Sequence, residues 1–250
     1  MLLVILLFLL TVLLPALFWW YFFIFQDRAE PEPRNLLIQT FFLGLGVAIL
    51  TAAVELTVIN ILFPDQYEII MNSIAGFSKL GLFLLILAGV VEEFIKFLAI
   101  REFIYSKRDF NQINDGVFYT VALAIGFLIM ENSIYFYSLY PGEITDSFIY
   151  SIVVRGLATT LMHVTSAVII GYAFGRMKFT PQHSRFIIAR SLTLVIIFHV
   201  TFNVLVYLGH IEIAFFYILI VFLYALRNLH RKESNLVWKL SSPKNAPFSE

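Results

Sequence analysis

Seven long apolar runs, separated by short polar links, dominate the 250-residue chain. They cover approximately residues 2–25, 36–63, 80–104, 116–139, 148–174, 187–208 and 211–226. A helix needs about 20 mainly apolar residues to cross the hydrocarbon layer of a bilayer, so the runs indicate membrane spans. A membrane β-barrel would alternate polar and apolar residues over segments of about ten. The continuous runs therefore predict an all-α, polytopic transmembrane helical bundle of about seven spans.

The organisation of the chain follows from these runs. We expect residues 1–227 to form a single transmembrane domain and residues 228–250 to form a polar cytoplasmic tail. The first run lacks the basic start and the small-residue cleavage site of a signal peptide, so we interpret it as a retained span. Pro15 lies within it and is expected to kink the helix, which membrane helices tolerate.

Composition excludes several classes of protein. Residues of the AVILMFWYC set make up 60% of the chain and charged residues 14%, which is unlike a soluble domain. Basic and acidic residues both number 17, so no net charge favours nucleic acid as a partner. The chain has no cysteine, which excludes disulfides, thiolate metal sites and a thiol nucleophile. Any metal would have to bind His, Asp or Glu.

The basic residues predict how the bundle is oriented. Fourteen of the 17 lie in the first, third and fifth links, at the adjoining span ends, or in the tail. Lys79 lies on the opposite side, and Lys96 and Arg155 lie inside spans. Because basic residues accumulate on the cytoplasmic side, we expect the N-terminus outside and the tail in the cytoplasm. This is typical of a multi-pass protein in a bacterial or archaeal type of plasma membrane.

Eight ionisable side chains lie within the predicted spans, where each costs roughly 2.5–3.5 kcal/mol on insertion scales. They are Glu55, Glu92, Glu93, Lys96, Glu131, Arg155, His163 and His199, with Asn132 and Asn203 as polar companions. The alternating helix directions place most of them in one layer, at the midplane and in the outer half of the membrane. We therefore expect four helices to contribute to one shared polar site.

Spacing within single helices suggests how some of these groups are arranged. Glu92 and Lys96 are four residues apart and share a helix face, so we expect them to pair and to leave Glu93 free on a neighbouring face. Such a division separates acid from base roles in two carboxylates. Glu55 lies alone in the second span, which favours a structural or substrate-path role over catalysis. Arg155 lies near the outer end of its span and either snorkels to the surface or acts electrostatically in the site.

This residue set suits the activation of water, either on a metal or by a Glu/His pair. A Zn²⁺ site of two His and one carboxylate, with the fourth position open for water, is one possibility. The HExxH pattern of many zinc proteases is absent. The residues alone also allow a proton-coupled transporter or a bis-His haem protein, and their spacing does not choose among these functions.

Four sequence blocks resemble one known family. Glu92-Glu93-Phe94-Ile95-Lys96 resembles the EExxK motif of the PrsW family of intramembrane proteases. Three further blocks follow in the family's order: Asp115-Gly116 leading to Phe127-x-x-x-Glu131-Asn132-x-x-Tyr135, then Arg155 with Met162-His163 and Gly171, and finally His199-x-x-x-Asn203. The resemblance covers residues 90–203, which we treat as the PrsW-like core. The CAAX prenyl endopeptidases are distantly similar, but here Lys96 replaces an arginine and Glu131 a histidine.

The resemblance implies hydrolysis of peptide bonds in the membrane plane, in single-span substrates such as anti-sigma factors. It assigns Glu92 and Glu93 to water activation and Asn203 to hydrogen bonding of the oxyanion. His163, His199 and Glu131 would hold a metal, expected to be Zn²⁺, or the activated water itself in a metal-free Glu/His mechanism. Lys96, Arg155 and Asn132 would balance charge or contact substrate.

The depth of the polar layer predicts cleavage in the outer half of the bilayer or near the external surface. The alternative function is a proton-coupled transporter that uses Glu92, Lys96 and His199 as a relay.

Overall fold

The structure, a computed structural model, describes residues 2–24, 31–64, 78–140, 142–179 and 184–241. Across these ranges the chain forms seven helical rods and no strands. The helices are α1 (Leu2–Phe8), continued by a π-helical turn (Leu9–Leu13) and α2 (Leu14–Ile24); α3 (Arg34–Leu62); α4 (Lys79–Ala99), continued by a π-helical turn (Ile100–Ile104); α5 (Asp115–Leu139); α6 (Asp146–Phe179); α7 (Ser184–Tyr207); and α8 (Ile211–Ser241).

The predicted all-α membrane bundle is confirmed. Six of the rods are both long enough and apolar enough to cross a membrane. The remaining rod, α4, has the length but carries Glu92, Glu93 and Lys96 in its middle. The protein is therefore an integral, multi-pass membrane protein. Helix α8 continues through Ser241, so part of the segment predicted as a polar tail is helical.

The first rod changes its winding just before Pro15. A proline lacks the N–H that an α-helix needs, and its ring collides with the carbonyl one turn earlier. The chain widens there into the π-helical turn Leu9–Leu13. The Thr11 carbonyl of this turn lies directly against Gly156 of α6, where a Cβ would collide with it. The first rod thus packs on α6 one residue from Arg155.

The centre of the bundle is α5, which packs against α3 and α6 through glycines. A Cβ on Gly44 of α3 would collide with the Leu123 carbonyl of α5, and one on Gly171 of α6 would collide with the Gly116 carbonyl. Thr120 adds an interhelical hydrogen bond by donating its hydroxyl to the Ala167 carbonyl at 2.8 Å. Such small-residue contacts let membrane helices approach backbone to backbone.

Polar contacts hold the link after α4 to the starts and ends of neighbouring helices. Lys178 near the end of α6 donates to the Tyr105 carbonyl at 2.8 Å. The Asp115 carboxylate at the start of α5 accepts the backbone N–H groups of Asn111 and Gln112 at 2.6 and 2.5 Å. The basic link after α4 and the basic end of α6 therefore lie at one end of the bundle, as the charge sidedness requires.

Candidate active site and its relatives

Four helices bring polar side chains together in the middle of the bundle. Helix α4 supplies Glu92, Glu93 and Lys96, α6 supplies His163, and α7 supplies His199, all of them buried. Helix α5 adds Glu131, which is partly buried. Four spans therefore contribute side chains to one polar cluster, as expected.

Lys96 lies between the two carboxylates of its own helix. Its Nζ is 2.6 Å from Glu93 Oε1 and 3.9 Å from Glu92 Oε2. Residues three and four apart are equally neighbours on a helix, so spacing alone did not decide between the two pairs. The prediction that Glu93 would be the free carboxylate is wrong, because His199 holds Glu93 on the lysine side of α4.

The imidazole of His199 is oriented by Glu93. Its Nδ1 is 2.9 Å from Glu93 Oε1, and an ionised carboxylate accepts only, so Nδ1 carries the proton and donates it. The lone pair is then on Nε2, which faces Glu92 Oε2 at 3.9 Å. A carboxylate behind a histidine in this way fixes the ring orientation and raises the basicity of the other nitrogen.

The imidazole of His163 is held from both sides. Lys96 Nζ lies 3.0 Å from Nδ1 and, as an ammonium, can only donate, so Nδ1 accepts. The opposite nitrogen, Nε2, then donates to Glu131 Oε2 at 2.7 Å. The rings of His163 and His199 are nearly perpendicular, with centroids 5.2 Å apart. The two histidines therefore present their Nε2 atoms to the same space.

Glu92 Oε2 occupies that space. It is 4.0 Å from His163 Nε2 and 3.9 Å from His199 Nε2, is fully buried, and has no hydrogen-bond partner among the described residues. Glu92, His163 and His199 each offer a ligand atom, all within 4.8 Å of one another, so they could hold a metal ion. Two imidazoles and one carboxylate form a donor set that catalytic zinc uses. Zinc bonds of about 2.0–2.2 Å place tetrahedral ligand atoms roughly 3.3–3.6 Å apart, so these atoms would move closer on binding, and His163 Nε2 would release its hydrogen bond to Glu131. The types of the residues present therefore fit a metal.

Glu131 belongs to a second set of contacts beside this group. Arg155 Nη2 lies 2.7 Å from Glu131 Oε1, and the guanidinium stacks on the Tyr135 ring with 3.1 Å from Cζ to the centroid. Of the two predicted orientations, Arg155 has the one that points into the site, and it does not snorkel to the surface. Asn132 accepts from the Thr159 hydroxyl at 3.1 Å, and its own Nδ2 is buried with no partner in the described part of the chain. The assignment of Glu131 as a metal ligand stays a prediction.

Two further residues from the sequence prediction, Asn203 and Glu55, lie outside the hydrogen-bonded cluster. Asn203 Nδ2 donates to the Leu85 carbonyl of α4 at 3.3 Å, so a bond to an oxyanion would require that contact to open. The Oε1 of Glu55 on α3 is buried without a hydrogen-bond partner among the described residues. Its predicted structural or substrate-path role stays a prediction.

Sequence reasoning gave no role to two aromatic residues that the structure places in it. Lys96 Nζ lies 4.5 Å from the ring centre of Phe127, and Tyr135 carries Arg155. Their signal is the four-residue spacing from Phe127 to Glu131 to Tyr135, which puts all three side chains on one face of α5. A cavity of about 20 Å³ lies beside Glu93, Lys96 and His163. That volume holds about one water molecule.

The profile of the PrsW family of intramembrane metalloproteases matches residues 32–226. The chain belongs to this family. Several relatives are named Protease PrsW: the one from Geobacillus kaustophilus is 26% identical over 174 residues, covering 70% of this chain and 68% of the relative. The one from Clostridioides difficile is 28% identical over 160 residues, covering 64% and 61%. The one from Halalkalibacterium halodurans is 30% identical over 123 residues, covering 49% and 54%. No solved structure matches the chain.

The PrsW match is longer than the 90–203 core on which the resemblance rested. It takes in α3 with Glu55 and all of the cluster residues, and it begins after α2. The chain covers 54% to 68% of the lengths of the three relatives. Membership of the PrsW family favours a hydrolase over the proton-coupled carrier that the same residues allowed.

Proposed function

We propose that this protein hydrolyses peptide bonds of membrane proteins within the bilayer, with Glu92 as the carboxylate that accepts a proton from the attacking water. The observation that carries the proposal is the buried Glu92 Oε2, which accepts no hydrogen bond from a described residue and faces the Nε2 atoms of His163 and His199. A positioned acceptor of this kind is what general base catalysis requires. The family supports hydrolysis as the reaction.

The surrounding residues hold the acceptor and the imidazoles in place. Lys96 binds Glu93 and His163, and Glu93 in turn orients His199. Glu131 accepts a hydrogen bond from His163 Nε2–H, and Arg155 neutralises the charge of Glu131. In this scheme Glu92 takes the proton of water, and the protonated carboxyl or the His163 imidazole delivers it to the departing amine. Asn203 would donate to the oxyanion after releasing the Leu85 carbonyl.

Where Zn²⁺ is bound, Glu92, His163 and His199 would hold it, and the ion would supply an acidified water. Glu92 would then be a ligand in place of its role as proton acceptor, and His163 Nε2 would release Glu131. The buried free oxygen of Glu92 and the ligand spacing support this set. The set replaces Glu131 of the sequence-based expectation by Glu92. Zinc content measured by mass spectrometry of the purified protein tests it without activity: we expect about one ion per chain, lost in His199→Ala and retained in Glu131→Gln. If zinc is lost from Glu131→Gln alone, Glu131 would instead be the carboxylate ligand.

Single-span membrane proteins of the anti-sigma type are the proposed substrates. The cluster lies at the middle of α4 and α6 and nearer the outer ends of α5 and α7, which supports cleavage at the midplane or in the outer half of the bilayer. A substrate with its scissile bond in the inner half would contradict this placement.

The decisive experiment is cleavage of a labelled single-span protein in proteoliposomes. We expect Glu92→Gln to lower the rate by roughly 10²–10⁴-fold, the usual contribution of a general base. The matched control is Glu102→Gln, which changes an exposed carboxylate on the same rod and should leave the rate unchanged. Glu92→Gln as active as wild type, or a wild-type protein that cleaves no single-span substrate, would refute the proposal.

A further inference from the structure

A second, much larger cavity lies away from the catalytic cluster, between α6, α7 and α8. Its volume is about 440 Å³, within the range of small-molecule sites. Val168, Phe198 and Tyr217 line its deep end, and Arg176, Arg190 and Asn228 line the other. Glu92, His163 and His199 do not contribute to it, and no acidic residue is among the described residues that line it.

The depth of this cavity matches one leaflet of a bilayer. Arg190 and Phe198 are eight residues apart on α7, and Val168 and Arg176 are eight apart on α6, which corresponds to about 12 Å of helix. Half of the hydrocarbon layer is about 15 Å thick. Walls of this length would reach from near the middle of the membrane to its surface, which would put the two arginines at headgroup depth.

The cavity also opens toward the lipid and not only toward water. Leu194 and Tyr224, which line it, are 48% and 67% exposed on the outside of the bundle. An acyl chain is much narrower than a helix, which is about 10–12 Å wide with its side chains, and the apolar walls of the cavity suit it.

We propose that this cavity binds an anionic phospholipid, with one acyl chain between α6, α7 and α8 and the phosphate against Arg176 and Arg190. The two positive charges in the lining favour an anionic headgroup over a zwitterionic one. The cavity lies at the end of the bundle that carries the basic links, where the sequence predicts the cytoplasmic leaflet. If each arginine contributes as much to binding as a juxtamembrane basic residue does, the two together give roughly a thirtyfold preference for an anionic lipid.

Native mass spectrometry of the full-length protein tests the proposal. The protein is reconstituted in nanodiscs of equal phosphatidylglycerol and phosphatidylcholine, released into mild detergent, and the retained lipids are counted. We expect retained phosphatidylglycerol to exceed phosphatidylcholine by at least about tenfold, and Arg176→Gln/Arg190→Gln to abolish the preference. The matched control, Arg101→Gln/Arg108→Gln, removes the same charge from exposed positions outside the cavity and should keep it.

A separate variant tests the acyl chain without touching the arginines. Ala225→Trp fills the cavity and should lower retained phosphatidylglycerol severalfold, whereas inorganic phosphate at millimolar concentration should not displace the lipid. Equal retention of both lipids by wild type, an unchanged preference in the double variant, or undiminished lipid in Ala225→Trp would overturn the proposal. Displacement by phosphate would show a headgroup-only anion site and would overturn it as well. These outcomes are independent of proteolysis, so they do not depend on the proposed catalytic function.

Discussion

Replacing Lys96 by methionine removes the cation 2.6 Å from Glu93 while keeping a similar apolar stem. Glu93 is 3% exposed and would be left as a buried carboxylate without its cation. His163 would lose the donor at its Nδ1 as well. Removing one partner of a buried ion pair typically costs about 3–5 kcal/mol, because the remaining charge cannot be solvated. We expect Lys96→Met to lower the free energy of unfolding by that amount.

The assay is denaturant-induced unfolding of the purified protein in micelles, with helicity as the signal. The control is Arg101→Met, which breaks the Arg101–Glu102 pair on the same rod, where both side chains are more than half exposed. Surface pairs contribute at most about 1 kcal/mol. In the double variant Lys96→Met/Glu93→Leu both charges are gone, and more than half of the lost stability should return. A Lys96→Met cost no larger than that of Arg101→Met, or a double variant as unstable as the sum of the single variants, would refute the reasoning.

Three further predictions concern packing and the proposed chemistry. Gly171→Leu should cost at least about 1–3 kcal/mol of unfolding free energy because its side chain meets the Gly116 carbonyl; Gly46→Ala, where a Cβ meets nothing within 4 Å, is the control and should not destabilise. Arg155→Lys should keep the charge beside Glu131 but lose the stacking on Tyr135. We expect the free energy of unfolding to fall by about 0.5–2 kcal/mol in the same denaturant assay. Asn203→Ala should reduce kcat by about 10²–10³-fold with little change in stability, since its bond to Leu85 is long and half-buried; unchanged kcat would remove it from the oxyanion site.

Much of the fold was predictable because hydrophobic length in a membrane is a simple signal. The apolar run 116–139 became α5, Asp115–Leu139, and the run 187–208 lies almost wholly within α7, Ser184–Tyr207. The polar layer was predictable for the same reason, since an ionisable group in a span must find a partner in the bundle. The length of α8 beyond residue 226 was missed because an amphipathic continuation carries no membrane signal.

The hydrogen bonds and ion pairs within the site were less predictable. Periodicity along α4 placed Glu92 and Glu93 equally well beside Lys96, and the choice came from His163 and His199 on other helices. The position of Glu92 between the imidazoles and the direction of the Asn203 amide depend on the rotation of α7 against α4, which no single-helix pattern encodes. The large cavity between α6, α7 and α8 has no sequence signature.

The small size of the cavity beside Glu93 and His163 has a kinetic consequence. About 20 Å³ admits a water but not a peptide bond with its flanking side chains. Glu92 does not line this cavity, but its side chain is only 9% exposed. We therefore expect substrate to reach Glu92 only when the surrounding helices separate, which would loosen the tight contact between Gly89 of α4 and Val200 of α7. Each turnover then includes a helix-opening step, which is the kind of motion that sets kcat in gated enzymes. Cleavage should accordingly be slow, and its rate should respond to bilayer thickness and fluidity more than to substrate concentration.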